Sequence, residues 1–361
     1  MTAKQWNVER LLSESSYWRS CILITAAHLD LFDWIGKREK TPRALTAHFG
    51  GSGVGWQIFL DALCGMGLLR KRGERYANTS VSERYLSRSA AACLLPGYDA
   101  WDAWGGLASA LSAGKRPTLQ KPFFFDRRKA ERLLHGLDLH AQEIAPYLIN
   151  KLSLSRCRTL LDVGGGLGTY SIAFCRFYPR LRATLVEHPS ISPLARQAVR
   201  QAGLAKRVRV IGMDFSREAL PRGFDAVFVS NVLHAHGVDE NRSLLRKLRS
   251  CLNPKGQLIL RDVFMSRDRT APEWGTFFSV LLLLHTPQGR CYALDEILGW
   301  LRQAGFSHIA RPFRSSPLPF DPDAVLVAKK FSKDKAKSRG RQERGNSRKQ
   351  NRERNASLKI A

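Results

Sequence analysis

Leu161-Asp-Val-Gly-Gly-Gly-Leu-Gly-Thr169 is the stretch on which the reading of this chain turns. The apolar run Thr159-Leu-Leu-Asp-Val163 enters four glycines, and residues 170–178 then carry a helical pattern. Strand, glycine turn and helix in that order make a loop where a nucleoside-bearing ligand can approach the backbone without meeting a Cβ. The N–H groups that open the helix suit an anion such as a carboxylate. The dinucleotide fingerprint G-x-G-x-x-G fails, because its last glycine would fall on Thr169. A glycine-rich loop alone is a weak signal, and a bare structural turn is the competing reading.

Toward the C-terminus the same theme repeats. Short apolar stretches at 183–187, 208–212, 224–229 and 257–261 alternate with helical segments, which implies a largely parallel sheet covered on both faces. Residues 307–313 and 324–329 flank Pro317-Leu-Pro-Phe-Asp-Pro322 and read as a terminal antiparallel pair. In an open α/β sheet ligands sit at the carboxyl ends of the strands, and the polar residues collect there. Asp162 precedes the glycine loop (Gly164, Gly166, Gly168), and Glu187 ends the second strand, where an acid accepts ribose hydroxyls. Met213-Asp214-Phe215 offers an acceptor and an apolar wall for adenine, and Ser230-Asn-Val-Leu-His234 delivers a histidine just beyond the fourth strand.

Toward the N-terminus, helices are expected over 16–34, from Thr41-Pro42, and over 54–66, followed by two short apolar stretches around Gly73. This is the silhouette of a winged helix. Its third helix offers Trp56, Ile58, Phe59, Leu60, Leu63 and Met66, with Gln57 and Asp61 as its polar side chains, so it suits another subunit rather than base edges. Residues 90–150 look helical and rich in aromatics (Trp101, Trp104, Phe123, Phe124, Phe125), material for a core, a dimer interface or a pocket for a flat ligand.

These motifs together resemble the plant-type and bacterial small-molecule O-methyltransferases that use S-adenosylmethionine. The resemblance runs over about residues 10–330 and rests on Leu31-Phe-Asp-Trp34, Leu63-Cys-Gly-Met-Gly-Leu-Leu69, the glycine loop, Gly212-Met-Asp-Phe215, Leu233-His234 and Leu252-Asn-Pro-Lys-Gly256. It implies an α/β fold, a Rossmann-like class I methyltransferase sheet preceded by an all-α winged-helix dimerisation domain. The expected division is 1–100 for dimerisation, 101–150 for a helical connector that contributes to the substrate pocket, 151–330 for cofactor binding, and 331–361 for a basic tail. It further implies a homodimer. The cofactor S-adenosylmethionine would be held by Asp162, Gly164, Gly166, Gly168, Glu187, Met213, Asp214, Phe215 and Ser230, with no metal. His234 matches the family's catalytic histidine, which takes a proton from the acceptor hydroxyl, and Asp262 the acid that orients it. Two departures stand out. Leu-His234-Ala-His236-Gly lacks the family's Asp-Trp, which makes His236 a rival base, and Cys291 falls where a second acid flanks the histidine. His285 and Arg290 are candidates for the pocket or for a structural role.

Composition narrows the remaining choices. The 361 residues are 44% hydrophobic, enough for two domains, and carry no apolar run of membrane-spanning length and no leader pattern, so the expected address is the cytoplasm. Seven scattered cysteines without a C-x-x-C pair read as reduced thiols. The net charge is +27, of which residues 331–361 supply eleven basic against three acidic side chains, a net of +8 that leaves +19 on the rest. That segment lacks aromatics after Phe331 and is expected to be disordered; it offers either a contact for nucleic acid or an anionic surface, or mere solubility. The resulting expectation is O-methylation of a small aromatic or conjugated hydroxylated metabolite. Three alternatives stand beside it: a nucleic-acid-binding regulator, an RNA methyltransferase anchored by its tail, and a C-methyltransferase.

Overall fold

The computed structural model describes residues 17–86, 101–113, 127–312 and 323–330. Cys93, Phe123, Phe124, Phe125, the turn at 317–322 and the basic segment 331–361 lie outside the described residues. The chain opens with helices α1 (Trp18–His28), α2 (Leu31–Ile35), α3 (Pro42–Phe49) and α4 (Gly53–Gly65). The single helix expected over 16–34 is in fact two. Asp30 adopts φ 51, and the turn it makes lets Leu31, Phe32 and Ile35 all face the core. Thr41 caps α3 by accepting the Ala44 N–H, with Pro42 in the first turn, as its sequence leads one to expect.

Strands β1 (Leu69–Arg72) and β2 (Arg75–Asn78) form the antiparallel wing. Buried Asn78 donates from Nδ2 to the carbonyls of Phe32 (2.8 Å) and Gly36 (3.0 Å), satisfying groups left over at the end of α2. Asp61 of α4 accepts from Lys71 Nζ and from the Tyr76 hydroxyl, each at 2.7 Å, so the wing's central lysine is committed to an internal pair. α4 itself presents Val54 and Ile58 to solvent at 68% and 66% exposure, an apolar face that no phosphate would choose.

Helices α5 (Ser80–Tyr85), α6 (Trp101–Gly105), α7 (Leu107–Ala113) and the long α8 (Arg127–Lys151) lead to the sheet. There follow β3 (Thr159–Val163), α9 (Thr169–Phe177), β4 (Arg182–Glu187), α10 (Ser192–Gln201), β5 (Val208–Gly212), β6 (Phe224–Ser230), α11 (Val238–Cys251), β7 (Leu252–Met265) and α12 (Glu273–His285). The last elements are β8 (Tyr292–Ala293), α13 (Leu294–Gln303), β9 (Phe306–Ala310) and β10 (Asp323–Lys330). Strand order is β5-β4-β3-β6-β7-β10-β9, with β3 to β7 parallel and β10 antiparallel to both of its neighbours. The fold is the α/β sheet with a preceding helical module that the sequence implies. β7 is longer than the apolar run at 257–261 at both ends: Leu252 pairs with Phe224 of β6, Asp262 and Val263 with β10, and Phe264 and Met265 with β8, a two-residue strand no sequence signal announces.

The chain turns back from β5 to β6 beside β3, so the crevice between the carboxyl ends of β3 and β6 is the topological switch point of the sheet. One face of the sheet packs Phe228 of β6 edge-on against Tyr170 and Phe174 of α9, with ring centroids 5.1 and 5.4 Å away. This contact holds the helix that follows the glycine loop. Phe228→Ala should cost about 3–5 kcal/mol of unfolding free energy in urea titrations; a loss below about 1 kcal/mol would mean that α9 is held by other contacts.

Candidate active site

The glycine loop leaves β3 at the switch point. Gly164, Gly166 and Gly168 all have positive φ (70, 57 and 86°), a conformation that side chains with a Cβ rarely adopt. A Cβ on Gly164 would stand 2.8 Å from Val232 Cγ2 and 3.7 Å from the Phe215 ring, so the space over this residue is bounded by the ends of β5 and β6. Glu187 ends β4 with its carboxylate buried. Oε2 accepts the Gly166 N–H at 2.8 Å and Oε1 the His188 N–H at 2.7 Å. Burial pushes the Glu187 carboxyl up, and those two N–H groups pull it back toward the charged form. The loop is thus pinned to the acid, whose remaining lone pairs are open to further donors.

The other residues singled out in the loop region play distinct parts. Asp162 is only 1% exposed; it lies beneath the loop, accepting from Ser171 Oγ at 2.7 Å, and so acts on the loop's shape rather than on anything bound above it. Burial, opposed by Ser171 and reinforced by the charge of Glu187, raises its pKa to about 7. Met213 is buried in the core behind Phe215. Asp214 is tied into its own turn by the Ser216 hydroxyl and backbone, which with Arg217 hold its carboxyl below the usual range. Ser230 accepts from Nη1 of the buried Arg261 at 3.2 Å.

Beyond β6 the chain makes a 3₁₀ turn, Leu233–Ala235. His234 Nδ1 donates to Asp262 Oδ1 at 2.8 Å, and the same carboxylate accepts the N–H groups of Leu233 (3.0 Å) and Val263 (2.9 Å). The bond fixes one tautomer, leaving Nε2 with its lone pair. His236 lacks such a partner: Glu240 stands 3.8 Å away, and burial lowers the imidazole's pKa. Its ring lies edge-on to Phe215 at 6.1 Å. Asn241 of α11 donates to the carbonyls of Leu233 (2.9 Å) and His236 (3.2 Å), and the Tyr292 hydroxyl donates to the latter. Gly289 closes the other side; a Cβ there would come within 2.4 Å of the His234 carbonyl.

An aromatic wall faces the histidine. Phe278 of α12 meets the His234 ring at 4.8 Å and Trp274 meets Phe278 at 4.7 Å, while Phe277 on the same helix is 61% exposed. Cys291 is buried behind Phe278 with Val263, Met265 and Leu282, an apolar setting. Arg290 pairs with Glu296, which caps α13, and His285 Nδ1 bonds the Leu281 carbonyl; both residues have structural partners.

Residues 123–307 match the model of the O-methyltransferase domain, and residues 12–88 that of the O-methyltransferase dimerisation domain. The chain belongs to the O-methyltransferase family. It is 28% identical over 330 residues to a tetracenomycin polyketide synthesis 8-O-methyltransferase from Streptomyces glaucescens, covering 87% of this chain and 94% of that one. A 3-hydroxy-5-methyl-1-naphthoate 3-O-methyltransferase from Streptomyces sahachiroi is 28% identical over 319 residues, 83% and 89% of the two chains. Human N-acetylserotonin methyltransferase, solved in complex with S-adenosylmethionine, superposes with a TM-score of 0.79 at 21% identity, over 92% of this chain and all of that one. The match at residues 12–88 is to a dimerisation module, and nothing supports the nucleic-acid regulator weighed from the sequence. No described helix of this O-methyltransferase is long and apolar enough to cross a membrane.

Several members of the site were missed in the sequence. Asn241 stands on α11, just after the histidine turn, without a local signal for its role, while Phe278 and Trp274 on α12, Gly289 after it and Tyr292 on β8 are some forty to sixty positions from His234 and reach it through packing. Asp162 makes a testable statement about this O-methyltransferase. An unfolded aspartate ionises near 3.9, so between there and about 7 the folded chain holds a proton that the unfolded chain has lost. Stability from this group therefore falls as pH rises through that window and is level above it. In Asp162→Asn that slope should vanish, so the Tm of the variant relative to wild type climbs from about pH 5 to about pH 7 and then flattens. Parallel Tm profiles would show that Asp162 ionises normally.

Proposed function

We propose that this enzyme transfers a methyl group from S-adenosylmethionine to the hydroxyl of a flat aromatic or conjugated metabolite, with His234 as the base. The observation that carries the reading is the His234–Asp262 bond at the carboxyl end of β6, facing the crevice that the glycine loop lines. The residues fit the cofactor. Gly164 holds a positive φ against Val232 where a Cβ would clash, the Glu187 carboxylate is anchored with lone pairs to spare for ribose hydroxyls, and Phe215 supplies an apolar wall for adenine. Gly166, Gly168, Met213, Asp214 and Ser230 shape the same crevice, and Asp162 supports it from below. When bound, the cofactor supplies an electrophilic methyl on a positively charged sulfur.

What the chain does for the reaction follows from its own groups. A phenol of pKa near 10 is mostly protonated at neutral pH. Nε2 of His234 accepts the hydroxyl proton as the oxygen becomes the nucleophile, and Asp262 stabilises the imidazolium that results. Phe278, with Trp274 packed on it, gives a flat acceptor an apolar surface beside that ring. The hydroxylated polyketide and naphthoate named for the two Streptomyces relatives are acceptors of this shape. With Cys291 in an apolar cluster, Asp262 is the carboxylate that serves the base, which favours an acceptor hydroxyl already acidified by conjugation. The enzyme works as a homodimer through residues 12–88, with the exposed face of α4 covered by its partner, and its free thiols suit the cytoplasm.

Calorimetric titration should show micromolar binding of S-adenosylmethionine and S-adenosylhomocysteine and none of NADH. His234→Gln should keep that affinity and lose about 10²–10⁴-fold in turnover on a phenolic acceptor. His236→Gln should stay within about tenfold of wild type. If His236→Gln is the crippling change, the assignment of the base is wrong; if neither sulfur nucleoside binds, the reading of the loop falls.

A further inference from the structure

The turn between β5 and β6 carries Phe215, and little apolar packing holds it. Ser216, Arg217, Glu218 and Ala219 are all exposed, with Phe215 half-buried before them and Leu220 buried after them. Within the turn the polar groups answer one another. The Asp214 carboxylate accepts the Ser216 N–H at 3.0 Å, Glu218 Oε1 accepts the Asp214 N–H at 2.8 Å, and the Asp214 carbonyl accepts the N–H groups of Arg217 (3.1 Å) and Glu218 (2.8 Å). These bonds fix the turn's shape but not its place. Its near end is tied to the sheet, since the Met213 N–H donates to the Glu187 carbonyl at 2.9 Å. The far end needs a second tether.

That tether comes from α11. Lys247 Nζ donates to the carbonyls of Phe215 (3.3 Å), Ser216 (2.6 Å) and Glu218 (3.3 Å), so all three ammonium protons go to one turn. No backbone N–H among the described residues reaches those three carbonyls. Like the last carbonyls of a helix they are acceptors gathered at one point, and a lysine's compact ammonium can answer three at once. The helix is itself fixed in relation to the base. Asn241, six positions earlier, holds the carbonyls of Leu233 and His236 that flank His234, and Leu244, Leu245 and Leu248 are buried in the core cluster against which Phe215 packs. One element therefore grips the histidine turn with one side chain and the Phe215 turn with another. Phe215 has little latitude between them: its ring edge stands 3.7 Å from the point a Cβ on Gly164 would occupy, and its centroid 6.1 Å from that of the His236 ring.

We propose that Lys247 is a positioning residue for the cofactor: by holding the Phe215 carbonyl and the turn behind it against α11, it sets where the Phe215 ring stands at the adenine end of the crevice. The inference rests on the cofactor reading above. Lys247 acts through the backbone of the wall. Water can replace the ammonium at carbonyls on an exposed turn, so losing the lysine should cost the fold little while freeing the wall to shift. The test is calorimetric titration of the full chain with S-adenosylhomocysteine and with adenosine, which carries the purine and ribose alone. Lys247→Met keeps an unbranched stem and removes the ammonium. It is expected to weaken both ligands by the same factor, about tenfold, with a Tm within about 2 °C of wild type. Lys247→Arg, which can still donate to carbonyls, should recover most of the affinity. Arg246→Met, which removes an exposed charge one position away, should change neither ligand. If wild type binds both nucleosides and Lys247→Met binds them as tightly, the inference fails and the cofactor reading stands. It fails in the same way if Arg246→Met costs as much affinity, which would make the effect one of net charge, or if S-adenosylhomocysteine alone is weakened, which would place the effect at the amino-acid end. It fails too if Lys247→Met melts far below wild type and Lys247→Arg restores the Tm but not the affinity. If wild type binds neither nucleoside, the cofactor reading falls and takes the inference with it.

Discussion

One carboxylate organises the reactive end of this molecule. Asp262 is 2% exposed, and a charge that deep is tolerable only if its lone pairs are used. They are: the N–H of Leu233, the N–H of Val263 and the imidazole of His234 converge on it. Two of those donors belong to the turn after β6 and one to β7 itself, so the acid fastens the histidine turn to the neighbouring strand while choosing the tautomer. The parallel pairing of β6 with β7 is what puts the acid level with the turn, and the aromatic packing of Phe228 on α9 is what keeps β6 in line with the glycine loop. Removing any one of these supports loosens the geometry of the others.

The second acid, Glu187, plays the matching part on the far side of the switch point. It ties the glycine loop to β4, as Asp262 ties the histidine turn to β7. Between the two anchored segments lies the crevice, and Phe215 bridges them, touching the space over Gly164 on one side and the His236 ring on the other. Neither segment is regular structure. Each is a stretch of backbone whose hydrogen bonds are completed by a buried side chain, which is how a loop can be as well defined as a strand.

Much of this was legible in the sequence, for a physical reason. Short apolar runs, helix caps and a cluster of glycines are local signals, and they located β3 to β6, the start of α3 and the loop at Gly164. The polar residues at strand ends were legible because a parallel sheet collects them at one edge. What stayed hidden was long-range. The break at Asp30 comes from packing of the N-terminal core, and β8 exists only because β7 offers it an edge. Asp162 had the motif of a binding residue, yet its depth beneath the loop appears only once Ser171 and the loop enclose it. Phe278 and Gly289 reach His234 from segments some forty to fifty-five positions away, and nothing in their own neighbourhoods marks them.

The helix α12 differs in kind from the strands it faces. Gly275 lets it settle on Met265 and Val263 of β7, where a Cβ would come within 2.4 and 3.0 Å, and Leu282 and Leu284 bury its inner side. Its other side, with Trp274 and Phe277, bears no part of the sheet's weight. The proposed base and cofactor loop thus rest on one set of elements and the proposed acceptor surface on another. Substitutions on that outer face would remove little buried surface, so on the proposed reading the acceptor surface is the part of the site whose change costs the fold least.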